Sequence, residues 1–182
     1  FDLPTAQDTF HEYLAEVRRL EEKRARLAER VEAIAEDPKY SSAVSTLRAF
    51  RGIGTLTALS FVVEVGDYRR FSRAEQFMAF LGLVPSEHSS GDKRRVGGIT
   101  KAGNSHLRKL LVEAAWHARS YRPGAKSRNR CRATLPAEVL QYADRAGRRL
   151  SKKYWRMLHA GRPPQVAATA VARELAGFVW GA

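Results

Sequence analysis

The sequence predicts an all-α fold, a long N-terminal helix followed by a compact helical domain. Three observations carry this. Apolar residues near the start repeat on a heptad over four heptads. Later apolar segments recur at spacings of three and four, the period of a helix face. No stretch alternates convincingly with period two, and the nearest candidate, Leu59 to Val65, also reads as helix. Residues 1–37 are assigned to a coiled-coil helix and residues 38–182 to the helical domain. A tight glycine turn is expected within 47–65 and a polar loop within 82–103.

The first helix is expected from Thr5 to Ala35. Phe10, Val17, Arg24 and Val31 fall at a positions, and Tyr13, Leu20, Leu27 and Ile34 at d. So regular a seam favours self-association, a homo-oligomer formed through this helix; packing on its own domain is the alternative. Arg24 in the seam needs a partner or a path to solvent. Glu16 and Glu21 would face each other in a parallel dimer, which favours an antiparallel or higher-order arrangement. Asp37-Pro38 ends the helix.

Two short helices are expected around Gly52-Ile53-Gly54. Gly-hydrophobic-Gly between helices resembles the helix-hairpin-helix motif, in which glycines let backbone N–H groups at a helix N-terminus approach a phosphate. Gly52 and Gly54 are therefore candidate DNA contacts, with Arg48 and Arg51 nearby; a glycine turn between core helices is the other reading. Ser72 with Glu75 is expected to form a capping box for a helix through Phe80. Gly82 and Pro85 stop that helix. A polar loop follows, holding Ser89, Ser90, Gly91, Lys93, Arg94, Arg95, the Gly97-Gly98 pair and Lys101.

A second amphipathic helix is expected from Asn104 or Ser105 to Arg119. Arg108 and Lys109 sit in its first half, against the helix dipole, a placement that a bound anion would relieve. Residues 119–136 read as irregular and cationic. Pro136 opens a helix to about His159, with Arg145, Arg149, Lys152 and Arg156 sharing a face away from its apolar stripe. Gln165 to Trp180 is a buried Ala-rich helix, read as scaffold.

The chain carries a formal charge of +13 and is 44% hydrophobic, so it supports a packed core and favours a polyanionic partner. The charge is local. Residues 119–162 hold thirteen Lys or Arg against two carboxylates, a net +11, whereas residues 1–37 carry a net −4. Such concentration favours a nucleic-acid track over a merely solvated face. Cys131 is the lone cysteine, which excludes an internal disulfide. No His, Cys and carboxylate spacing is typical of a metal site. With neither signal peptide nor apolar run of spanning length, a cytoplasmic, nucleoid-associated location without membrane contact is expected. The first residue is Phe1 rather than Met, so a longer parent protein is expected.

The stretch LGLVPSEHSSGDKRRVGGITKAGNSHLRKLLVEAA resembles the signature of the carboxy-terminal transposase domain of insertion-sequence transposases whose amino-terminal domain is RuvC-like. These are bridge-RNA-guided serine recombinases. The likeness runs from about Leu47 to the chain end and includes PPQVAATAVARELAGFVW. It implies DNA and a guide RNA as partners. It implies that a serine of the Ser-Gly step attacks a DNA phosphodiester to form a transient phosphoserine link. Ser90, immediately before Gly91, fits best, with Ser89 as runner-up or helper hydroxyl. The acidic, divalent-metal-binding amino-terminal domain of that family has no counterpart here, so this chain itself is expected to hold no cofactor.

The chemistry is consistent with such a role. A serine hydroxyl is a weak nucleophile that needs a base or a strongly electropositive setting, plus cations for the phosphoryl oxygens. Arg94, Arg95, Lys101 and Arg108 could supply the cations, and Glu87, His88 and Asp92 are local base candidates. By itself, Ser-Ser-Gly reads as an ordinary turn. A non-catalytic module that binds DNA or RNA and oligomerises is the competing function.

Overall fold

The computed structural model describes residues 3–87, 96–122 and 130–182. It is mainly helical, as the periodicity predicts. The helices are α1 (Pro4–Ala35), α2 (Ser41–Arg48), α3 (Thr55–Val65), α4 (Ala74–Phe80), α5 (Ser105–Ala115), α6 (Ala137–His159) and α7 (Pro164–Trp180). Short 3-10 turns cover Tyr68–Arg70, Trp116–Ser120 and Arg130–Thr134.

Helix α7 is the centre. Ala167, Ala168, Val171, Ala172, Leu175, Ala176 and Val179 are all buried, and α4, α5 and α6 pack against it. Its small side chains let neighbouring backbones come close while the larger residues of those helices fill the space between. Phe61, Tyr68, Phe71, Phe77 and Phe80 form an aromatic cluster, with Phe71 edge-on to Phe77 at 5.3 Å. Trp180 closes it by donating its indole N–H to the Phe71 carbonyl at 3.1 Å.

Helix α1 meets this core only at its C-terminal end, where Ala35 is buried and Val31 is half-buried. Phe10, Tyr13, Val17, Leu20, Leu27 and Ile34 are all exposed. Packing on its own domain therefore accounts for Val31 of the seam but not for these six residues.

Three expectations change. The loop at 82–103 is framed by a two-stranded antiparallel sheet, β1 (Pro85–Glu87) and β2 (Val96–Ile99), with Pro85 opposite Ile99 and Glu87 opposite Val96. Strands of three and four residues are too short to print a period-two pattern. The Ser72–Glu75 capping box is not formed. Helix α4 starts one residue later than such a box requires, and the Ser72 amide and hydroxyl both donate to Gln76 Oε1, at 2.9 and 3.2 Å. Glu75 remains in the first turn, where its charge suits the helix dipole. Finally, α5 stops at Ala115 and tightens into a 3-10 turn rather than running to Arg119.

Candidate nucleic-acid interface

The base of the hairpin is built from sequence upward. Helix α4 ends in a Schellman motif: Gly82 N–H donates to the Ala79 carbonyl at 2.8 Å and Leu83 N–H to the Met78 carbonyl at 2.9 Å. Gly82 has φ +65°, and a β-carbon there would lie 2.2 Å from the Ala102 carbonyl oxygen. Only glycine fits both the left-handed conformation and the contact. The returning strand is tied to the same turn by Thr100 N–H to Val84 O at 2.9 Å, Lys101 N–H to Gly82 O at 3.1 Å and Asn104 N–H to Phe80 O at 2.9 Å. Ser86 donates its hydroxyl to the Gly98 carbonyl at 3.1 Å. The strands that flank the stretch 88–95 are thus tied to the ends of α4 and α5.

Ser89, Ser90, Arg94 and Arg95 lie outside the described residues, as do His88, Gly91, Asp92 and Lys93. Around the anchor, Lys101 is exposed and holds φ +57°, unusual for a side-chain-bearing residue. Asn104 is the N-cap of α5: its Oδ1 accepts from Leu107 N–H at 2.9 Å, and its Nδ2 donates to Glu64 Oε2 at 2.8 Å. The other Glu64 oxygen lies 2.5 Å from His106 Nδ1. Glu64, at the end of α3, thereby pins the start of α5. Arg108 donates from Nη1 to the Leu81 carbonyl at 3.0 Å. Its place in the first half of α5 is explained by this tie to the α4 turn.

The glycine turn between α2 and α3 divides its two candidates. Gly52, at φ +89°, faces inward, where a β-carbon would lie 2.4 Å from the Ala114 carbonyl oxygen. Gly54 is exposed at the N-cap of α3, with nothing within 4 Å of its β-position. Arg51 is spent on the 3-10 turn that follows α5, donating to the His117 carbonyl at 3.2 Å and the Ser120 hydroxyl at 3.1 Å. Arg132 is a strut as well: it reaches the Ala49 carbonyl at 2.7 Å and Asp144 Oδ1 at 2.6 Å.

Arg145, Arg149, Lys152 and Arg156 do come together, along a groove between α6 and α7. Arg148 and Lys153 join them, and Glu174 of α7 is the single carboxylate in the lining. Lys153 Nζ is 2.8 Å from Glu174 Oε2, and Arg149 Nε donates to Oε1. Burial pushes the Glu174 pKa up, but the hydrogen bonds from Lys153 and Arg149 outweigh it and hold the carboxyl below its usual range. Arg145 lies over the Tyr142 ring at 4.9 Å, while burial raises the phenol's pKa against the pull of that cation.

Arg148 and Lys153 were visible in the sequence on the same helix as their neighbours. Glu64 and Glu174 gave no sequence signal, because their partners lie on other elements. Among the described residues, no three of His, Cys, Asp and Glu gather to hold a metal ion. No helix described is long and apolar enough to cross a membrane.

Fold and groove together define a helical domain with one strongly basic face and a hairpin-mounted polar stretch. Residues 44–130 match the Transposase IS116/IS110/IS902 family model. The y4qE protein of Sinorhizobium fredii, which carries a transposase name, is 46% identical over 160 residues, covering 85% of this chain and 40% of its own length. The transposase for insertion sequence element IS1533 of Leptospira borgpetersenii is 31% identical over 155 residues, covering 85% of this chain and 45% of its own length. The transposase for insertion sequence element IS1111A of Coxiella burnetii is 49% identical over 69 residues, covering 38% of this chain and 19% of its own length. The matched part is less than half of the length of each of these relatives.

Proposed function

We propose that this chain is the part of an insertion-sequence transposase that binds DNA and carries the serine nucleophile of strand transfer. The observation that supports it most is that the described residues on both sides of 88–95 are tied to the helical domain. A Schellman turn on one side and the Asn104 cap on the other close onto the same two helices. These ties fix where the described chain enters and leaves the stretch that holds the candidate serines. Ser90 Oγ attacks the phosphorus, its proton passes to a base, and the DNA oxygen leaves. The resulting phosphoserine ester preserves the phosphodiester for transfer to a second strand. Arg94, Arg95 and Lys101 would neutralise charge on the phosphoryl oxygens. The basic groove holds DNA, a guide RNA directs it, and α1 joins copies of the chain. The acidic domain of the resembled family supplies the remainder of the machinery, so this chain alone binds nucleic acid and self-associates without recombining DNA.

The test uses the longer transposase with its acidic domain and guide RNA. It is incubated with a nicked suicide DNA substrate, and peptides are searched by mass spectrometry for a nucleotide-linked serine. An adduct on Ser90 that disappears in Ser90→Ala but survives in Ser89→Ala is the expected result. An adduct on Ser89 moves the nucleophile by one residue. No adduct, with DNA binding intact in both variants, leaves the binding and oligomerisation module as the function.

A further inference from the structure

We propose that α6 carries a track for single-stranded DNA, with the Trp155 indole as a stacking platform for an unpaired base and Arg148 and Lys152 holding the adjoining phosphates. The inference rests on the DNA-binding reading above and adds strandedness and a recognition residue to it.

The chain has three tryptophans, Trp116, Trp155 and Trp180. Two are packed into the domain: Trp116 sits against Tyr154 at 6.4 Å, and Trp180 is bound to the Phe71 carbonyl. Trp155 is instead 44% exposed, on a helix whose opposite side is already buried through Ala143, Ala146, Leu150 and Tyr154. Core packing therefore does not explain it.

Its surroundings are specific. Residues 148, 152, 155 and 159 follow one another at spacings of four, three and four, so they share one side of α6. The His159 ring lies 6.2 Å from the indole at 36°, and the Tyr154 ring meets it edge-on at 5.7 Å and 90°. These neighbours brace the ring while leaving it accessible. Arg148 and Lys152 also line the basic groove, so the indole stands at the edge of a cationic channel.

An apolar partner surface would have to desolvate those cations, whereas a nucleotide satisfies both halves of the patch. Its phosphate meets the cations and its base offers a π-face to the indole. Duplex DNA keeps its base faces inside the stack and offers the indole nothing. Unpaired DNA is what cutting and exchanging strands exposes, so the ligand matches the proposed chemistry.

The test is a titration of this chain with a single-stranded DNA of about 15 nucleotides, the same sequence as duplex DNA, and the same sequence as RNA. Tryptophan fluorescence and anisotropy are read for wild type, Trp155→Ala and Trp155→Phe, with circular dichroism confirming that the variants keep their helices. Wild-type fluorescence is expected to quench on single-stranded DNA. Trp155→Ala should lose about ten- to a hundredfold in affinity for it, Trp155→Phe should retain most of it, and duplex affinity should not move. An equal loss on duplex, or unchanged single-strand affinity in Trp155→Ala, overturns the platform. Trp155-dependent binding confined to RNA overturns the assignment to DNA. A wild-type chain that binds none of the three overturns the DNA-binding reading itself, a result distinct from intact binding that ignores residue 155.

Discussion

Lys153 on α6 and Glu174 on α7 meet at 2.8 Å inside the basic groove, so the one carboxylate in its lining also joins the two helices. Arg149 occupies the other carboxylate oxygen. Glu174 thus offsets part of the groove's charge and stabilises its wall. Because its folded pKa lies below the ordinary 4.5, its contribution to stability is complete above that value and is lost as pH falls through the lower folded value. Glu174→Gln should abolish this part of the acid dependence and cost about 1–2 kcal/mol at neutral pH by urea unfolding. DNA affinity should rise severalfold in low salt, since one repelling charge is gone. A folded Glu174→Gln protein that binds DNA more weakly would contradict this account of the groove.

The two glycines of the α2–α3 turn should separate structure from binding. Gly52→Ala places a β-carbon against the Ala114 carbonyl at a positive φ, and should destabilise by on the order of 3 kcal/mol. Gly54→Ala meets no neighbour and should leave the melting temperature close to wild type. If backbone N–H groups at the start of α3 approach a phosphate, Gly54→Ala should nonetheless weaken DNA binding. Unchanged binding would assign the turn to core packing alone.

Arg108 reads from sequence as a phosphate contact, yet its guanidinium holds the Leu81 carbonyl. Arg108→Ala should cost about 1.5–3 kcal/mol of stability, the value of a hydrogen bond made by a charged group. Lys101, exposed and at φ +57°, should behave oppositely. Lys101→Gly should change stability by within about 1 kcal/mol, since relief of the left-handed strain offsets glycine's entropy. Its DNA affinity should fall, with the salt dependence reduced by about one ion. Chemical unfolding paired with salt-dependent binding distinguishes the two residues.

The exposed seam of α1 gives a prediction about assembly. Val17 and Leu20 are 50% and 49% exposed, and the compact part of the domain does not depend on them. Val17→Glu with Leu20→Glu should lower the molar mass measured by light scattering while leaving the thermal transition of the helical domain in place. An unchanged mass would remove α1 as the source of self-association.

Much of this architecture was legible residue by residue. The stripe of Val139, Ala143, Ala146, Leu150, Tyr154 and Met157 predicted α6, of which the structure buries Ala143, Ala146, Leu150 and Tyr154 and leaves Val139 and Met157 half-buried; Gly82, Pro85 and Asn104 marked where α4 stopped and α5 began. Ser72 was legible as lying at the start of α4 but not as its cap: Arg73 is the N-cap, and the Ser72 amide and hydroxyl donate to Gln76 instead of pairing with Glu75. The cations of α6 were legible as a face. That they line a groove was not, since its second wall is α7.

The sequence by itself determined the helices, their order, the heptad seam and the concentration of positive charge, because each follows from short-range periodicity and composition. Tertiary structure alone decided which polar side chains are committed. Asn104 and Arg108 serve the hairpin's anchor, Arg51 and Arg132 serve as struts, and Glu174 enters a cationic groove from another helix. It also decided that Trp155 faces outward while Trp116 and Trp180 pack into the domain. The reason is geometric. A hydrogen bond or ion pair forms only within a few ångströms, and for partners such as Arg132 and Ala49, or Glu64 and His106, only the packing of whole helices sets that distance.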